Sequence, residues 1–506
     1  MTRTSVSSDA FDVVVIGAGP GGYVAAIRAA QYGLRTAIVE RGELGGVCLN
    51  WGCIPTKALL HGADTAHAIA DAGRYGFDVP AEVGFDMQQL VKFSRSVVSR
   101  LVSGVSALLT GNGVEVIRGS AVLSGKGELT VTADGQPIRE LQADHIIVAT
   151  GARPRVLPGI TPDGDRIWTS TDALSPKKLP ESLVIIGSGA IGIEFASLYG
   201  ALGTEVTVLE ALDRVLPAED AAVSAAVVRQ LRSRGIRCEA GVTVGTVTAD
   251  GTGVSTTFTV AGGASETIRS EHLLVTAGVV PDTEGLGLAE LGVGFERGFI
   301  AIDEWCRTGV AGLYAIGDVA GGPCLAHKAS HEALICVDHI AGAPGVRQLD
   351  RWFVPRCTYS RPQIASIGRT EQQARALGRP IEVGVFDLAA NGKALAQGEG
   401  IGFVKTIFDA ESGELLGAHM VGPEVTELIE GFRVPGAVID YAARLLPHIA
   451  PDLTPPHSIR RARGELAIEP ADPLAAVADA VTRLAAREGT VGVIVPSTWV
   501  EQVDQA

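Results

Sequence analysis

A short apolar run, a glycine-rich turn and an apolar helix follow one another near the start of the chain. Residues 11–16 are largely apolar and β-branched, which is typical of a strand buried on both faces. The turn reads GAGPGG at 17–22, a helix is predicted through Gln31, and apolar residues return at 35–40 as a second strand. This order predicts a dinucleotide-binding fold, because such glycines let a pyrophosphate approach the backbone at the helix N-terminus.

The same pattern recurs from residue 182. A strand at 182–186 precedes GSGAIG at 187–192, a helix through Tyr199 and a strand at 205–210. In each copy an acidic residue stands 18 positions after the last glycine of the turn, so two sites of one design are predicted. The residues assigned to them are Gly17, Gly19, Gly22 and Glu40 in the first site, and Gly187, Gly189, Gly192 and Glu210 in the second.

Further elements are predicted between and after the two folds. Residues 60–118 read as helices, and 119–144 read as an antiparallel meander with short segments at 121–123 and 129–132. A strand leads from residue 145 towards Gly151, and another begins at 313 and ends in Asp318. The last region opens at Val354 as α+β, with strands at 402–408 and 413–422 and a helix at 424–431.

Net charge and cysteine usage narrow the function classes. The 506 residues carry a formal net charge of −15, which argues against a nucleic-acid-binding surface. Seven cysteines are an odd number and form no secreted disulfide framework, which favours a reducing compartment. The first ten residues lack the apolar core of a signal peptide, and no uninterrupted apolar run is long enough to span a bilayer. A cytoplasmic protein with no membrane or nucleic-acid partner is expected.

Cys48 and Cys53 stand five positions apart, at the start of an apolar helical run that follows the first dinucleotide fingerprint. A disulfide between them would close a short loop that constrains the unfolded chain little, so a purely stabilising purpose is the weaker explanation. On spacing alone, two nearby cysteines in a cytosolic chain are structural bystanders or metal ligands about half the time. The context on both sides favours a small disulfide beside a redox cofactor.

The string CLNWGCIPTK at 48–57, after the first glycine turn, resembles the pyridine nucleotide-disulfide oxidoreductases of class I, and among them the dihydrolipoamide dehydrogenases. The resemblance runs from about residue 10 to about residue 431. It implies FAD in the first site, NAD in the second, and oxidation of dihydrolipoamide by NAD+ through a Cys48–Cys53 disulfide. It also implies that Cys48 exchanges with substrate while Cys53 faces the flavin. No metal site is predicted.

Other site residues are carried over from the same resemblance. Lys57 and Glu194 are implied to pair beside the flavin, although without the resemblance they read as two solvated charges. Further cofactor contacts are implied for Gly151 and Gly278, and for Asp318, which is implied to reach the ribityl chain of FAD. Ala326 and His327 are implied to contact FAD as part of the flavin-lining turn AHKA at 326–329. Family members usually have an arginine after Gly278, whereas this chain has Val279. His327 and Glu332 imitate a catalytic spacing but lie in the wrong segment, so both are interpreted as structural.

Glu210 favours NAD over NADP in the second site. A carboxylate there accepts hydrogen bonds from a 2′-hydroxyl group but repels a 2′-phosphate, and the next arginine is four residues away at Arg214.

The predicted fold is α/β, with two Rossmann-like domains that bind FAD and NAD and an α+β dimerisation domain that is incomplete. The predicted boundaries are 1–152 and 281–350 for the two parts of the FAD domain, 153–280 for the NAD domain, 351–431 for the interface domain and 432–506 for an atypical tail. The resemblance implies a homodimer and a 2-oxo acid dehydrogenase complex as partner.

The tail lacks the family's His-Pro-Thr-x-x-Glu motif, whose histidine acts as acid and base for the partner subunit. The expected histidine and glutamate fall near Ala450 and Pro455. Residues 432–506 loosely resemble a segment of superfamily 1 helicases, but no Walker lysine loop occurs, so helicase activity is not a candidate. A fusion, natural or a gene-model artefact, is preferred over a diverged interface domain. Lipoamide turnover should then be impaired. The alternatives are an NADH-dependent reductase of quinones, dyes or another disulfide, and a non-catalytic flavoprotein subunit.

Overall fold

Three large sheets organise residues 8–80 and 83–432, which are the residues that the computed structural model describes. Up to residue 154 the helices are α1 (Pro20–Gln31), α2 (Gly46–Trp51), α3 (Cys53–Asp71) and α4 (Met87–Gly111). The strands there are β1 (Ser8–Ile16), β2 (Thr36–Glu40), β3 (Glu115–Arg118), β4 (Ser120–Gly125), β5 (Glu128–Ala133), β6 (Gln136–Val148) and β7 (Ala152–Pro154).

The second group of elements extends to residue 281. Its helices are α5 (Ser170–Ala173), α6 (Ala190–Ala201) and α7 (Ala221–Ser233). Its strands are β8 (Ile167–Trp168), β9 (Ser182–Ile186), β10 (Glu205–Glu210), β11 (Arg237–Ala240), β12 (Val242–Asp250), β13 (Gly253–Val260), β14 (Ser265–Ser270), β15 (His272–Val275) and β16 (Val279–Pro281).

The third group completes the described chain. Its helices are α8 (Ala326–Ile340), α9 (Glu371–Arg375), α10 (Gly392–Ala396) and α11 (Val425–Leu428). Its strands are β17 (Phe295–Glu296), β18 (Phe299–Ile300), β19 (Leu313–Ala315), β20 (Arg356–Thr358), β21 (Gln363–Gly368), β22 (Ile381–Asp387), β23 (Phe403–Asp409) and β24 (Leu415–Gly422). Short 3-10 helices lie at Ala72–Tyr75, Gly317–Ala320, Arg351–Phe353, Leu388–Ala390 and Ile429–Phe432.

The first sheet has the order β3-β2-β1-β6-β5-β4, with β19 also paired to β6. Its β3, β2, β1, β6 and β19 strands are parallel, and β5 and β4 continue it as the predicted antiparallel meander. The prediction of helix over all of 60–118 is wrong at its end. Gly113, with φ +74°, follows the end of α4, and β3 then pairs with β2 because Val116 and Ile117 suit a half-buried strand.

The second sheet has the order β11-β10-β9-β15-β8 and is parallel throughout, which confirms the second predicted dinucleotide fold. A three-stranded antiparallel sheet, β12-β13-β14, follows β11 in the chain and was not predicted. Its strands alternate threonines and small polar residues with apolar ones, so their hydrophobic signal is weak. Both turns inside this sheet carry glycine, at Gly251 and Gly262.

The third sheet is antiparallel, with the order β20-β21-β24-β23-β22. The two strands predicted at 402–408 and 413–422 are confirmed as β23 and β24, whereas β22 was not predicted. The helix predicted at 424–431 is shorter than expected, because α11 gives way to a 3-10 helix at Ile429–Phe432. The prediction that this domain is incomplete concerns residues beyond 432, outside the described range.

One apolar core joins the helix that begins at Cys53 to the second and third sheets. Leu59 and Leu60 of α3 pack in the same cluster as Phe195 of α6, Ile364 of β21 and Val421 of β24. Apart from the turn 410–413, the described residues belong to one compact unit. Among the helices in that range, none is long and apolar enough to cross a membrane.

Candidate active site

Cys48 and Cys53 form a disulfide, with their Cα atoms 4.7 Å apart. Cys48 lies in α2, and Cys53 is the first residue of the 19-residue helix α3. Both side chains are partly accessible to solvent. Among the described residues there is no group of three or more His, Cys, Asp and Glu side chains that could hold a metal ion. Because Cys48 and Cys53 are bonded to each other, the alternative that they are metal ligands is rejected.

Two glycines fix the disulfide helix against the first glycine turn. Gly45 donates its N–H to Ala18 O at 2.8 Å, and a Cβ on Gly46 would stand only 2.7 Å from the Cα of Gly19. Gly46 also has φ +58°, a conformation that favours glycine. Gly45 and Gly46 thus allow the start of α2, which carries Cys48, to pack directly against the first glycine turn.

The first turn has the close backbone packing that a pyrophosphate site needs. Gly17 has φ +99°, and a Cβ there would lie 2.5 Å from Ala149 O, while a Cβ on Gly22 would overlap Gly17 O. The equivalent position at Gly19 faces open space within 4 Å. At the end of β2, Glu40 accepts the N–H of Ala18 at 2.6 Å and the N–H of Gly42 at 2.7 Å. The predicted four residues of the first site therefore lie together.

A cavity of about 420 Å³ opens beside this turn. Its lining includes Gly17, Glu40, Gly119, Thr150, Arg153 and Asp282. Arg153 donates to Asp282 Oδ1 at 2.9 Å and to the carboxylate of Glu284, so the guanidinium forms part of a fixed polar rim. Gly151, with φ +75°, turns the chain at this rim. A cradle of glycines with an adjoining cavity of this size fits the adenosine end of FAD.

Asp318 lies after β19, in the 3-10 helix Gly317–Ala320 rather than in a strand as predicted. Burial raises the pKa of its carboxyl, and the nearby Lys328 ammonium partly offsets this effect. Within the described residues the carboxylate receives no hydrogen bond. A largely buried acceptor of this kind fits a ligand hydroxyl group.

The turn at Ala326 and His327 opens the helix α8. His327 Nε2 lies 2.8 Å from Pro355 O, whereas Glu332 accepts the N–H of Gly317 at 2.8 Å. The two residues thus contact different groups, in agreement with their interpretation as structural rather than as an acid–base pair.

The second turn repeats the geometry of the first. Gly187 has φ +101°, a Cβ on Gly192 would overlap Gly187 O, and Gly189 faces open space. Glu210 Oε2 accepts both the N–H of Ser188 at 2.8 Å and its hydroxyl at 2.6 Å, and Oε1 accepts the N–H of Leu212 at 2.9 Å. The hydrogen bond from the Ser188 hydroxyl group to Glu210 was not predicted, because the equivalent residue of the first turn, Ala18, has no hydroxyl group.

Arg214, the first basic residue after Glu210 in the sequence, contacts residues of its own loop. Its guanidinium contacts Asp213 Oδ2 at 3.5 Å and donates to Pro217 O at 3.4 Å. The guanidinium of Arg214, which follows the end of β10 by four residues, thus points towards its own loop. The arrangement fits NAD.

Arg155 is a residue that the sequence reasoning missed. It donates its N–H to Gly278 O at 3.0 Å, and its Nε lies 3.8 Å from where a Cβ on Gly278 would stand. Arg155 Nη2 also donates to Val279 O at 3.4 Å, so this exposed guanidinium lies beside the residue that follows Gly278. Only the pairing of β16 with β7 reveals it, because the two residues are far apart in sequence.

Lys57 and Glu194 form the predicted pair. Lys57 Nζ lies 2.9 Å from Glu194 Oε1 and 3.1 Å from Oε2. Glu194 is only 5% exposed, and Tyr359 donates its N–H to the same Oε1 at 2.9 Å. The Lys57 ammonium also stands 4.5 Å from the centre of the Tyr359 ring. The structure thus excludes the reading of two solvated charges and adds Tyr359 to the site.

Comparisons with known proteins agree with this geometry. Residues 11–333 match the pyridine nucleotide-disulphide oxidoreductase family, and residues 354–440 match the dimerisation domain of that family. The second match extends past residue 431, where the motif resemblance ends. The chain belongs to the pyridine nucleotide-disulphide oxidoreductase family.

Curated relatives narrow the class. Dihydrolipoyl dehydrogenase of Zymomonas mobilis subsp. mobilis is 49% identical over 448 residues, which cover 88% of this chain and 96% of that protein. Dihydrolipoyl dehydrogenase of Rhizobium etli is 49% identical over 441 residues, covering 84% and 92% respectively. This chain is thus an NAD-dependent flavoprotein oxidoreductase of dihydrolipoyl dehydrogenase type, and FAD and NAD are its cofactors.

Two solved structures share the fold. LpdA from Mycobacterium tuberculosis superposes with a TM-score of 0.79 at 30% identity, covering 89% of this chain and 97% of that chain. The HOCl-induced flavoprotein disulfide reductase RclA from Escherichia coli, solved as a Cu(II) complex, gives 0.75 at 29% identity and covers 89% and 96%.

Proposed function

We propose that the chain oxidises dihydrolipoamide with NAD+ and that the site residues act as the resemblance implies. The observation that carries the proposal is the position of the disulfide, which is partly accessible and is fixed to the first glycine turn. A disulfide placed to exchange with a small dithiol on one side and with a bound flavin on the other suits electron transfer better than chain stabilisation.

The two cysteines have distinct roles in this proposal. A substrate thiolate attacks Cys48 Sγ, the Cys48–Cys53 bond breaks, and Cys53 leaves as a thiolate. The second substrate thiol, after losing its proton, attacks the substrate sulfur of the mixed disulfide, which releases the cyclic disulfide and leaves Cys48 reduced. Cys53 is the better leaving group because it begins the 19-residue helix α3, whose N-terminal dipole favours a thiolate.

The other residues hold the cofactors. Gly17, Gly19, Gly22, Glu40, Gly151, Asp318, Ala326 and His327 would hold FAD, and Gly187, Gly189, Gly192, Glu210 and Gly278 would hold NAD. Bound FAD would supply a two-electron carrier between the reduced cysteines and NAD+. Lys57 is placed to keep a positive charge near the site, and Glu194 fixes the position of its ammonium.

A homodimer in the cytoplasm that serves a 2-oxo acid dehydrogenase complex completes the proposal. The match of residues 354–440 to a dimerisation domain supports self-association. The names of the curated relatives support the link to lipoyl substrates. The predicted domain boundaries are kept as part of this proposal.

A second candidate is an NADH-dependent reductase of quinones, dyes or another disulfide. The observation that favours it is the lack of the His-Pro-Thr-x-x-Glu motif anywhere in the sequence. General acid–base catalysis contributes about 10²- to 10⁴-fold, so its loss would slow dithiol oxidation while leaving NADH-to-quinone transfer intact. RclA, a flavoprotein disulfide reductase by name, shares the fold.

The test compares the full chain with a variant whose residues 432–506 are replaced by the C-terminus of a relative such as the Zymomonas mobilis enzyme. We expect the native chain to reduce quinones with NADH and to turn over dihydrolipoamide slowly, and the graft to restore lipoamide turnover and dimerisation. Equal lipoamide rates in both proteins would show that the tail already supplies the acid–base group, with His448 and His457 as the first residues to replace. Absence of turnover with any acceptor would instead favour a non-catalytic subunit.

A further inference from the structure

Helix α8 carries a buried ion pair that the proposed reaction does not use. Lys328 is 0% exposed and Glu332, one turn further along the helix, is 2% exposed. Lys328 Nζ lies 3.1 Å from Glu332 Oε2. The desolvation of two charges usually cancels the gain from their attraction, so stability alone is a weak reason for such a pair.

Both charges also contact the backbone of the turn that holds Asp318. Lys328 Nζ donates to Gly317 O at 3.0 Å and to Gly321 O at 2.6 Å. Glu332 Oε2 accepts the N–H of Gly317 at 2.8 Å. The pair therefore hydrogen-bonds to both ends of the turn: to Gly317, one residue before Asp318, and to Gly321, three residues after it.

The ammonium of Lys328 uses all three of its hydrogens in these contacts, namely two carbonyls and Glu332. Burial raises the pKa of the Glu332 carboxyl, and the charge of Lys328 acts in the opposite direction. Arg351 stands 3.5 Å from the remaining oxygen of Glu332. Each charged atom of the pair thus has a partner, and a buried polar network that is fully satisfied makes the segments that it joins more rigid.

The turn itself needs such a support. Gly317 has φ +75°, and a Cβ there would lie 3.2 Å from the Cβ of Ala329, so the turn presses on α8. Asp318 follows, with no hydrogen bond to its own carboxylate among the described residues. Its position is therefore set by the backbone around it rather than by partners of its side chain.

We infer that Lys328 and Glu332 are positioning residues that hold the Asp318 carboxylate in place for the hydroxyl groups of the FAD ribityl chain. The inference rests on the proposed assignment of Asp318 to FAD. The pair acts through the backbone of the turn 317–321 and touches no substrate. Its expected effect is on how tightly FAD is held, because a misplaced buried acceptor loses a charge-assisted hydrogen bond.

The experiment measures FAD release from full-length holoprotein, as the rise in flavin fluorescence after dilution. The variants are Asp318→Ala, the isosteric Glu332→Gln, and the apolar double variant Lys328→Met with Glu332→Leu. Lys405→Met is the matched control, because it breaks another buried pair, with Asp220 at 2.8 Å, away from the turn. Urea unfolding midpoints after removal of FAD report stability, and quenching of tryptophan fluorescence by NAD+ reports the second site.

We expect the double variant to unfold at a urea concentration equal to or above that of the wild type, because apolar replacements of a buried pair are often neutral or stabilising. Its FAD release should nevertheless be about tenfold faster, with NAD+ affinity unchanged. Lys405→Met should lower the midpoint without changing FAD release. Glu332→Gln should release FAD faster even if the double variant does not fold.

Three results would each overturn a different part of this inference. Wild-type FAD release in both Glu332→Gln and the double variant, together with fast release in Asp318→Ala, would remove the positioning role and leave the Asp318 assignment intact. Wild-type release in Asp318→Ala would remove the assignment itself. Faster release that tracks a lower urea midpoint in every variant, Lys405→Met included, would show that the pair acts only on stability.

Discussion

Lys57 Nζ stands 2.9 Å from Glu194 Oε1, and this contact joins the helix that begins at the redox disulfide to the helix that begins at the second glycine turn. Glu194 is almost fully buried, whereas the Lys57 side chain is 34% exposed. The carboxylate thus depends on the ammonium and on the N–H of Tyr359 for its solvation. One ion pair couples the positions of three segments of the chain around the disulfide.

Lys57→Met should therefore disturb the site more than a surface change of the same size. Glu194 would keep only the N–H of Tyr359, and an undersolvated buried carboxylate costs about 1–3 kcal/mol of stability. We expect a lower urea midpoint and slower reduction of the flavin by NADH in stopped-flow experiments. Arg269→Met, which breaks the exposed pair with Asp250, is the control. If both variants behave alike, the pair between Lys57 and Glu194 has no special role.

The disulfide can be tested by counting thiols. Five cysteines are free in the structure, so alkylation in denaturant followed by mass spectrometry should give five labels on the isolated protein and seven after reduction by NADH. Cys53→Ser should give the same label count before and after NADH, because no disulfide remains to be reduced. Dihydrolipoamide oxidation should be lost in this variant. An increase in labels on NADH treatment of Cys53→Ser would point to a different redox pair.

The glycine turns, the strands beside them and the disulfide motif could be predicted because each is a local pattern of apolar and glycine positions. Tyr359 and Arg155 could not, because they reach Glu194 and Gly278 only after distant segments have packed together. Strand β3 was predicted as helix because it directly follows the long helix α4 and has only four residues. The buried ion pair of Lys328 could not be predicted either, because the burial of a lysine leaves no signal in the sequence.

Glu210 should decide the choice of nucleotide. Its carboxylate is fixed by Ser188 and Leu212, and Arg214 donates to Pro217 O in its own loop, so a 2′-phosphate at this strand end would meet the negative charge of Glu210. NADH should reduce the flavin much faster than NADPH. Glu210→Ala should raise the KM for NADH by about tenfold through loss of a charged hydrogen bond, and it should narrow the NADH preference. Equal rates with both nucleotides in the wild type would place the selectivity elsewhere.

Arg155 should contribute to NAD binding although it lies outside the second glycine fingerprint. Its guanidinium is exposed at Gly278, where it is able to face a bound anionic nucleotide. Arg155→Ala should weaken NAD+ binding by about ten- to a hundredfold in a fluorescence titration, since charge-assisted hydrogen bonds contribute about 1.5–3 kcal/mol and each 1.4 kcal/mol is a factor of about ten in affinity. Arg269→Met again serves as the control. Unchanged affinity would mean that Arg155 only fixes the chain at Gly278.

His67 on α3 should make the folded protein sensitive to acid. Burial lowers the pKa of His67 to about 4, and the charges of Arg361 and Arg234 act in the same direction, against an opposing effect of Asp71. The unfolded chain therefore takes up a proton between about pH 6.5 and about pH 4, whereas the folded protein does not, so stability falls as the pH is lowered through this range. His67→Gln should reduce the difference between urea midpoints at pH 7 and pH 5. His61→Gln, at an exposed position of the same helix, is the matched control and should leave that difference unchanged. A His67→Gln protein that loses as much stability as the wild type would assign the acid sensitivity to other groups.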